Sequence, residues 1–350
     1  MRLKRHPAAT AASALAAACL LFGSVAEAQF GARPPNRSSL LDDGALHVVI
    51  CGSGSPLPSA ERAGPCTAVI AGGRMFLIDV GPGSTENLRL WGLPLGNLAG
   101  VLLTHFHSDH IGELGEVTFS SWTGGRVEPL DVYGPGGVER VVAGFQAAYE
   151  LDVSYRVAHH GADLLPSDGG KAAAHPIELT EDASSRVVYD EDGLKITAFL
   201  VEHEPISPAV GYRIDYGGRS VVVSGDTIRS ANLEAASQGV DVLVHEVLSE
   251  ALIGGAAQAL ASAGNERTAT MLRDTLDYHT FPADVHALAA DAKVELLVLS
   301  HLVPPLPAAQ AESVFMRGRA EDAPNEAVVA VDGMHIALPA NSDERTIETF

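Results

Sequence analysis

Four side chains of metal-ligand type stand within six residues in His105-Phe106-His107-Ser108-Asp109-His110, directly after the apolar run 101–104. Packing does not call for such a cluster. A lone buried histidine is ordinarily a hydrogen-bonded core residue, whereas three imidazoles and a carboxylate this close together have the composition of a metal centre. The apolar run reads as a strand, so the cluster projects from a strand end. A catalytic centre draws donors from more than one segment, and the chain must therefore fold so that other strand ends reach the same place.

The surrounding pattern supplies such strands. Short runs rich in β-branched residues at 46–51, 67–70, 75–80, 101–104, 130–133, 194–201, 210–215, 220–224, 240–245, 295–300 and 327–331 alternate with glycine turns. The 35 glycines and 20 prolines fit a body built on tight turns rather than a helical bundle. Helical periodicity occupies 138–150, 268–276, 283–292 and 308–317. The strands fall into two batches, each followed by helices. That arrangement predicts an α/β chain, an αββα sandwich of two mixed β-sheets packed face to face with helices outside. The domain is expected over 44–340. Within it, the stretch from about 113 to 176 is the least regular and reads as a pocket-lining insertion. Residues 29–43 read as a flexible lead-in and 341–350 as a C-terminal tail.

Three further donors sit at strand ends. His203 follows 194–201, Asp226 follows 220–224 within Ser224-Gly225-Asp226-Thr227, and His301 follows 295–300. Taken singly, Asp226 reads as a turn or cap residue and the two histidines as surface residues. Beside the 105–110 cluster they read as ligands arriving at one sheet edge.

These motifs together resemble the metallo-β-lactamase superfamily. Cys51-Gly52-Ser53-Gly54-Ser55-Pro56, Leu77-Ile78-Asp79-Val80-Gly81, Val132-Tyr133-Gly134-Pro135, Gly211-Tyr212-Arg213-Ile214, and His245-Glu246 followed by His279-Thr280 narrow the resemblance to its ribonuclease Z and arylsulfatase-like branch, over residues 45 to 303. The resemblance implies two divalent metal ions, with zinc expected and manganese or iron accommodated by the same donors. His105, His107 and His203 would hold one ion, Asp109, His110 and His301 the other, with Asp226 bridging. It implies a hydrolase in which a metal-bridging hydroxide attacks an ester. Asp109 would orient that hydroxide, His279 would act as the substrate-side acid, and Glu246 would orient His279. Asp79 and Thr104 are candidates to fix the histidine tautomers. A homodimer is expected by resemblance alone. His159, His160, His175, His286 and His335 receive no role.

Charge and the chain start bear on substrate and location. Arg2, Lys4 and Arg5, the apolar run 8–25, and Ala26-Glu27-Ala28 before Gln29 read as a signal peptide over 1–28, so a periplasmic or secreted protein is expected, with no membrane attachment after cleavage. Without those residues, 20 Lys and Arg face 43 Asp and Glu, a formal charge of −23. No basic run follows residue 28, and nucleic acid is not an expected partner on that ground. Members of the ribonuclease Z family carry a long tRNA-gripping arm between the positions of His203 and Asp226, where this chain has only 22 residues. The expected substrate is a small anionic ester, a phosphodiester or an aryl sulfate. Lactonase or β-lactamase chemistry is one alternative and a ribonuclease Z-like nuclease another, with a non-catalytic metal-binding protein last. Cys51 and Cys66 could pair in an oxidising compartment, and the sequence leaves their state open.

Overall fold

In a computed structural model of the chain, residues 35–350 are described. The expected signal peptide and the start of the lead-in lie outside the described residues.

Fifteen strands run in order among the described residues: β1 (Ala45–Gly52), β2 (Cys66–Ala71), β3 (Arg74–Ile78), β4 (Leu98–Leu102), β5 (Leu130–Pro135), β6 (Ala172–Ile177), β7 (Ser185–Glu191), β8 (Leu194–Val201), β9 (Ala209–Tyr216), β10 (Arg219–Val223), β11 (Val242–Leu248), β12 (Leu296–Val303), β13 (Glu326–Val329), β14 (Met334–Pro339) and β15 (Thr346–Thr349). They form one sheet in the order β15-β14-β1-β2-β3-β4-β5-β6 and a second in the order β13-β12-β11-β10-β9-β8-β7. Each sheet is mixed. Pairing is antiparallel from β15 through β3 and parallel from β3 to β6 in the first. In the second it is parallel from β10 to β13 and antiparallel from β7 to β10.

Period-two alternation explains the layering. In β1, Leu46, Val48 and Ile50 enter the core between the sheets, with Ile196, Tyr212, Val221 and Val298 from the second sheet. Val49 and Cys51 point the other way, toward Leu88, Leu114, Val117 and Val142 of the helices that cover the first sheet. On the second sheet, Val222, Leu243 and Leu297 meet Leu233, Val285, Leu288 and Phe315 of three further helices. The expected αββα sandwich is the observed fold. Strands such as β1, β11 and β12 are buried along their whole length because both faces are covered.

Three expectations change. Residues 113–176 are not an irregular insertion but a continuation of the first sheet: a helix at Leu114–Thr123, then β5, the long helix Val138–His160 and β6, with β4, β5 and β6 parallel. The expected helix 138–150 is the first half of Val138–His160; its continuation carries no apolar face, since only Val138 and Val142 of its 23 residues are buried. The tail 341–350 contains β15, an exposed edge strand paired with β14. The described part of the lead-in is held down, with Leu41 buried and the Arg37 guanidinium over the Phe350 ring. Cys51 and Cys66, left open by the sequence, form a disulfide between the end of β1 and the start of β2.

Candidate metal centre

The ligand-type residues gather where strands end. β4 stops at Leu102, and the chain turns through His105 into a short helix at Ser108–Ile111 that carries Asp109 and His110. β8 stops at Val201, two residues before His203, and β10 stops at Val223, three before Asp226. His301 departs from its expected place: β12 runs on to Val303, and the residue sits inside the strand. There Glu246 pairs with Ser300 and Val247 with Leu302, so His301 is the extra residue of a bulge. A bulge re-aims a side chain, and His301 takes the left-handed backbone (φ 43°) that a non-glycine residue rarely adopts.

All seven sequence-assigned donors come together. His105, His107, His203 and Asp226 form one group and Asp109, His110 and His301 another, the donor atoms of each within 4.8 Å of one another. Asp226 faces both. Its Oδ2 lies 3.8 Å from His105 Nε2, 4.0 Å from His203 Nε2 and 3.3 Å from His110 Nε2, while its Oδ1 lies 3.4 Å from His301 Nε2. Asp109 Oδ2 stands 3.5 Å from both His110 Nε2 and His301 Nε2. His105 Nε2 and His107 Nδ1 approach to 3.0 Å.

The donor set fits divalent cations. Asp109 Oδ2, His110 Nε2, His203 Nε2, Asp226 Oδ1 and His301 Nε2 are all buried without a hydrogen-bond partner. A buried polar atom without a partner costs on the order of 1–3 kcal/mol, and five aimed at one another are unstable unless a positive charge sits among them. The opposite edges of three rings are tied down. Thr104 Oγ1 donates to Asp79 Oδ2 at 2.8 Å and stands 3.0 Å from His105 Nδ1. Asp79 Oδ2 also meets His110 Nδ1 at 2.7 Å, and the Tyr278 carbonyl meets His203 Nδ1 at 3.0 Å. These contacts put the proton on Nδ1 and leave Nε2 bare for a metal. Asp79, like His301, holds a left-handed backbone, with φ 58°.

Burial lowers the proton affinity of His105 well below the ordinary value, and of His107 and His203 to a lesser degree, keeping their rings neutral. Burial alone would raise Asp226, but the His301 and His110 imidazoles overcome it and hold the carboxyl well below its usual range. Against its burial, the Asp226 and Asp79 carboxylates raise the proton affinity of His110 well above its ordinary value, and Asp226 with Asp109 raises the pKa of buried His301 to about 8. The metal-free centre thus sets an anion among neutral rings on one side and proton-holding rings on the other.

His279 is buried at the rim, its ring 5.5 Å from that of His203 and 5.6 Å from that of His301. Its Nδ1 lies 3.3 Å from Glu246 Oε1, close but not aligned as a hydrogen bond. The same oxygen accepts the Thr280 amide at 2.9 Å, which fixes the turn that carries His279. The helix at Pro282–Asp291 is capped by Phe281, so His279 is not its cap. Two contributors escaped the sequence reading. The Tyr278 carbonyl is backbone and carries no residue signal; His245 is marked in the sequence only as the neighbour of Glu246.

Two groups of imidazoles and carboxylates sharing one aspartate, at the rim of an αββα sandwich, define the dinuclear metal-dependent hydrolases. The chain belongs to one family of these: the description "Metallo-beta-lactamase superfamily" matches residues 60–301. The chain is 37% identical over 270 residues to the ribonuclease Z of Mycobacterium avium (strain 104), covering 76% of this chain and 89% of that protein. It is 34% identical over 292 residues to the ribonuclease Z of Mycobacterium sp. (strain KMS), covering 83% and 95%. Among solved structures it is similar to the short form of human tRNase Z, with TM-score 0.60, 20% identity, and coverage of 84% of this chain and 99% of that one. It is also similar to the metallo-beta-lactamase fold protein YhfI from Bacillus subtilis, with TM-score 0.57, 19% identity, and coverage of 84% and 99%. At such identities the two solved structures speak for the fold alone. Proteins of this superfamily bind divalent metals, typically zinc.

Proposed function

We propose that this protein is a ribonuclease Z-like phosphodiesterase that cleaves RNA with two divalent metal ions. The observation that carries the reading is Asp226 standing between the two donor groups, its Oδ2 toward His105, His203 and His110 and its Oδ1 toward His301, in a chain 37% identical to a protein named ribonuclease Z. His105, His107 and His203 would hold one ion, Asp109, His110 and His301 the other, and Asp226 both. When bound, such ions lower the pKa of water toward neutrality and place positive charge opposite phosphoryl oxygens.

The chain's own residues do the rest. Asp109 is held anionic against its burial by His301 and His110, which suits it to orient the attacking water. His279, with Nδ1 toward Glu246, has Nε2 available to protonate the leaving oxygen, and Glu246 fixes its orientation. His279 acts on the ester oxygen, a role that a phosphodiester requires more than a strained lactam does. The names of the relatives revise the expectation that nucleic acid is no partner, and they speak for a phosphodiester rather than a sulfate.

A second reading, a small phosphodiester, is favoured by the formal charge of −21 and by the segment between His203 and Asp226, which consists of β9, β10 and their connections with no arm. Export accompanies either reading; it is supported by the 1–28 leader and by the Cys51–Cys66 disulfide, a bond that persists outside reducing compartments. A homodimer remains a proposal by resemblance.

Hydrolysis by residues 29–350 with quantified metal, on a 3′-extended tRNA, a bis-nitrophenyl phosphodiester, a nitrophenyl sulfate, a lactone and a chromogenic β-lactam, tests this. Site-specific cleavage of the RNA, falling steeply with salt, is the expected result. Turnover of the small diester with intact RNA would select the second reading, and preference for lactone or lactam would overturn both.

A further inference from the structure

Among the four buried histidines assigned as ligands, three have a protein acceptor for the nitrogen turned away from the cluster: His105 has Thr104, His110 has Asp79 and His203 has the Tyr278 carbonyl. His301 has none. Its Nε2 faces Asp109 and Asp226, and its Nδ1 is buried without a partner. A metal-ligating histidine needs that second nitrogen fixed, because the proton there selects the tautomer and sets the ring's direction.

A cavity of about 30 Å³ lies between the sheets at this point, lined by His301, Ser300 and His245 on the second sheet and by Thr67 and Ile78 on the first. His245 is fully buried, and its Nδ1 is 2.6 Å from the Glu246 carbonyl oxygen. A carbonyl only accepts, so Nδ1 carries the proton and Nε2 is an acceptor. Burial also lowers the pKa of this ring, with Glu246 and Asp226 opposing. The His245 Nε2 acceptor is buried and without a partner. His301, whose Nδ1 carries the proton once Nε2 is given to a metal, and His245, whose Nε2 is an acceptor, line one cavity large enough for a water, and each of these two buried atoms lacks the partner a water provides.

We propose that His245 is a positioning residue for the metal ligand His301, acting through one water in this cavity. The water accepts from His301 Nδ1–H and donates to His245 Nε2, which locks His301 with Nε2 bare toward Asp109 and Asp226. His245 touches neither substrate nor metal. It completes for the bulged ligand what Asp79, Thr104 and Tyr278 provide for the others. The inference rests on the metal-centre reading above.

Zinc titrations of the purified protein against a chromophoric chelator test it, with stoichiometry and folding followed in wild type, His245→Leu, His245→Gln and His301→Ala. His245→Leu, which removes the acceptor, should weaken the second ion by about 10–100-fold and leave the first unchanged. His245→Gln, which returns an acceptor near the Nε2 position, should restore affinity to within a few-fold of wild type. In ¹⁵N-histidine NMR spectra of the wild type, His301 should show a protonated Nδ1 protected from exchange and in contact with a water; this measurement decides should His245→Leu fail to fold. Wild-type affinity for both ions in His245→Leu, equal weakening in the Leu and Gln variants, or a His301 proton on Nε2 would each overturn the proposal. Retention of two ions by His301→Ala would instead sink the metal reading itself.

Discussion

β1 runs between two clusters of buried imidazoles. Near its start, His47 Nε2 meets Asp43 at 2.9 Å, His47 Nδ1 meets His335 Nε2 at 3.0 Å, and His335 Nδ1 meets Glu348 at 2.9 Å. At its far end Gly52 lines the cavity beneath Asp226 and His301. Both clusters combine buried histidine with carboxylate, yet in the first the groups form a line in which every ring nitrogen has a neighbour. In the second they converge, and three Nε2 atoms are buried with none. The line joins β1 to β14 and the edge strand β15, and needs only protons. The converging group needs cations. Composition does not distinguish the two; direction does.

That contrast can be broken at either end. Asp226→Ala should have the largest effect, with loss of bound metal and a fall in turnover on the order of 10⁴-fold or more, since it removes the donor both groups share; metal analysis beside initial rates checks it. His279→Ala should keep two ions and lower kcat by about 10²–10⁴-fold, most for poor leaving groups. Emptying of the metal site in that variant would show that His279 had been given the wrong role. Chelation should lower the melting temperature, because an ion held at 1,000 times its Kd adds about 4 kcal/mol, and the decrement should be the same in His335→Phe.

His335→Phe itself should retain metal and activity while losing roughly 1–3 kcal/mol in denaturant unfolding, because His47 Nδ1 is left unpaired. Metal loss there would erase the distinction between the clusters. The smallest effect is on pH dependence. Burial lowers the His335 pKa, with Glu348 opposing and His47 and Arg37 adding to the fall. The folded value therefore lies below the unfolded one of about 6.5. Protonation favours the unfolded chain, and the stabilisation is complete above that unfolded value and lost as pH falls through the folded one. The metal-free protein should melt progressively lower as it is acidified below about pH 6.5, less steeply in His335→Phe.

The strands that deliver ligands were legible because they are β-branched and bounded by glycine. Four strands lie outside the expected set. β6 is Ala172-Ala173-Ala174-His175-Pro176-Ile177 and β15 is fully exposed, so neither shows apolar alternation, whereas β7 and β14 carry Val187, Val188, Ile336 and Leu338 and were missed although the residues are there. The helix Glu250–Ser262 carries two adjacent glycines and buries only Ile253 and Ala257, which erased its periodicity. His301 was found as a ligand but set after its strand, since a bulge depends on the register with β11 and leaves no local mark.

The sequence by itself determined which side chains could bind metal and that most of them stand at strand ends, because donor chemistry and strand propensity are properties of a residue and its near neighbours. The tertiary structure alone decided that His105, His203, Asp226 and His301 meet, that Asp226 faces both groups, and which histidine nitrogens are left bare. Those are contacts between segments far apart in the chain, set by how two sheets pair and pack, and no local pattern encodes the direction in which a ring finally points.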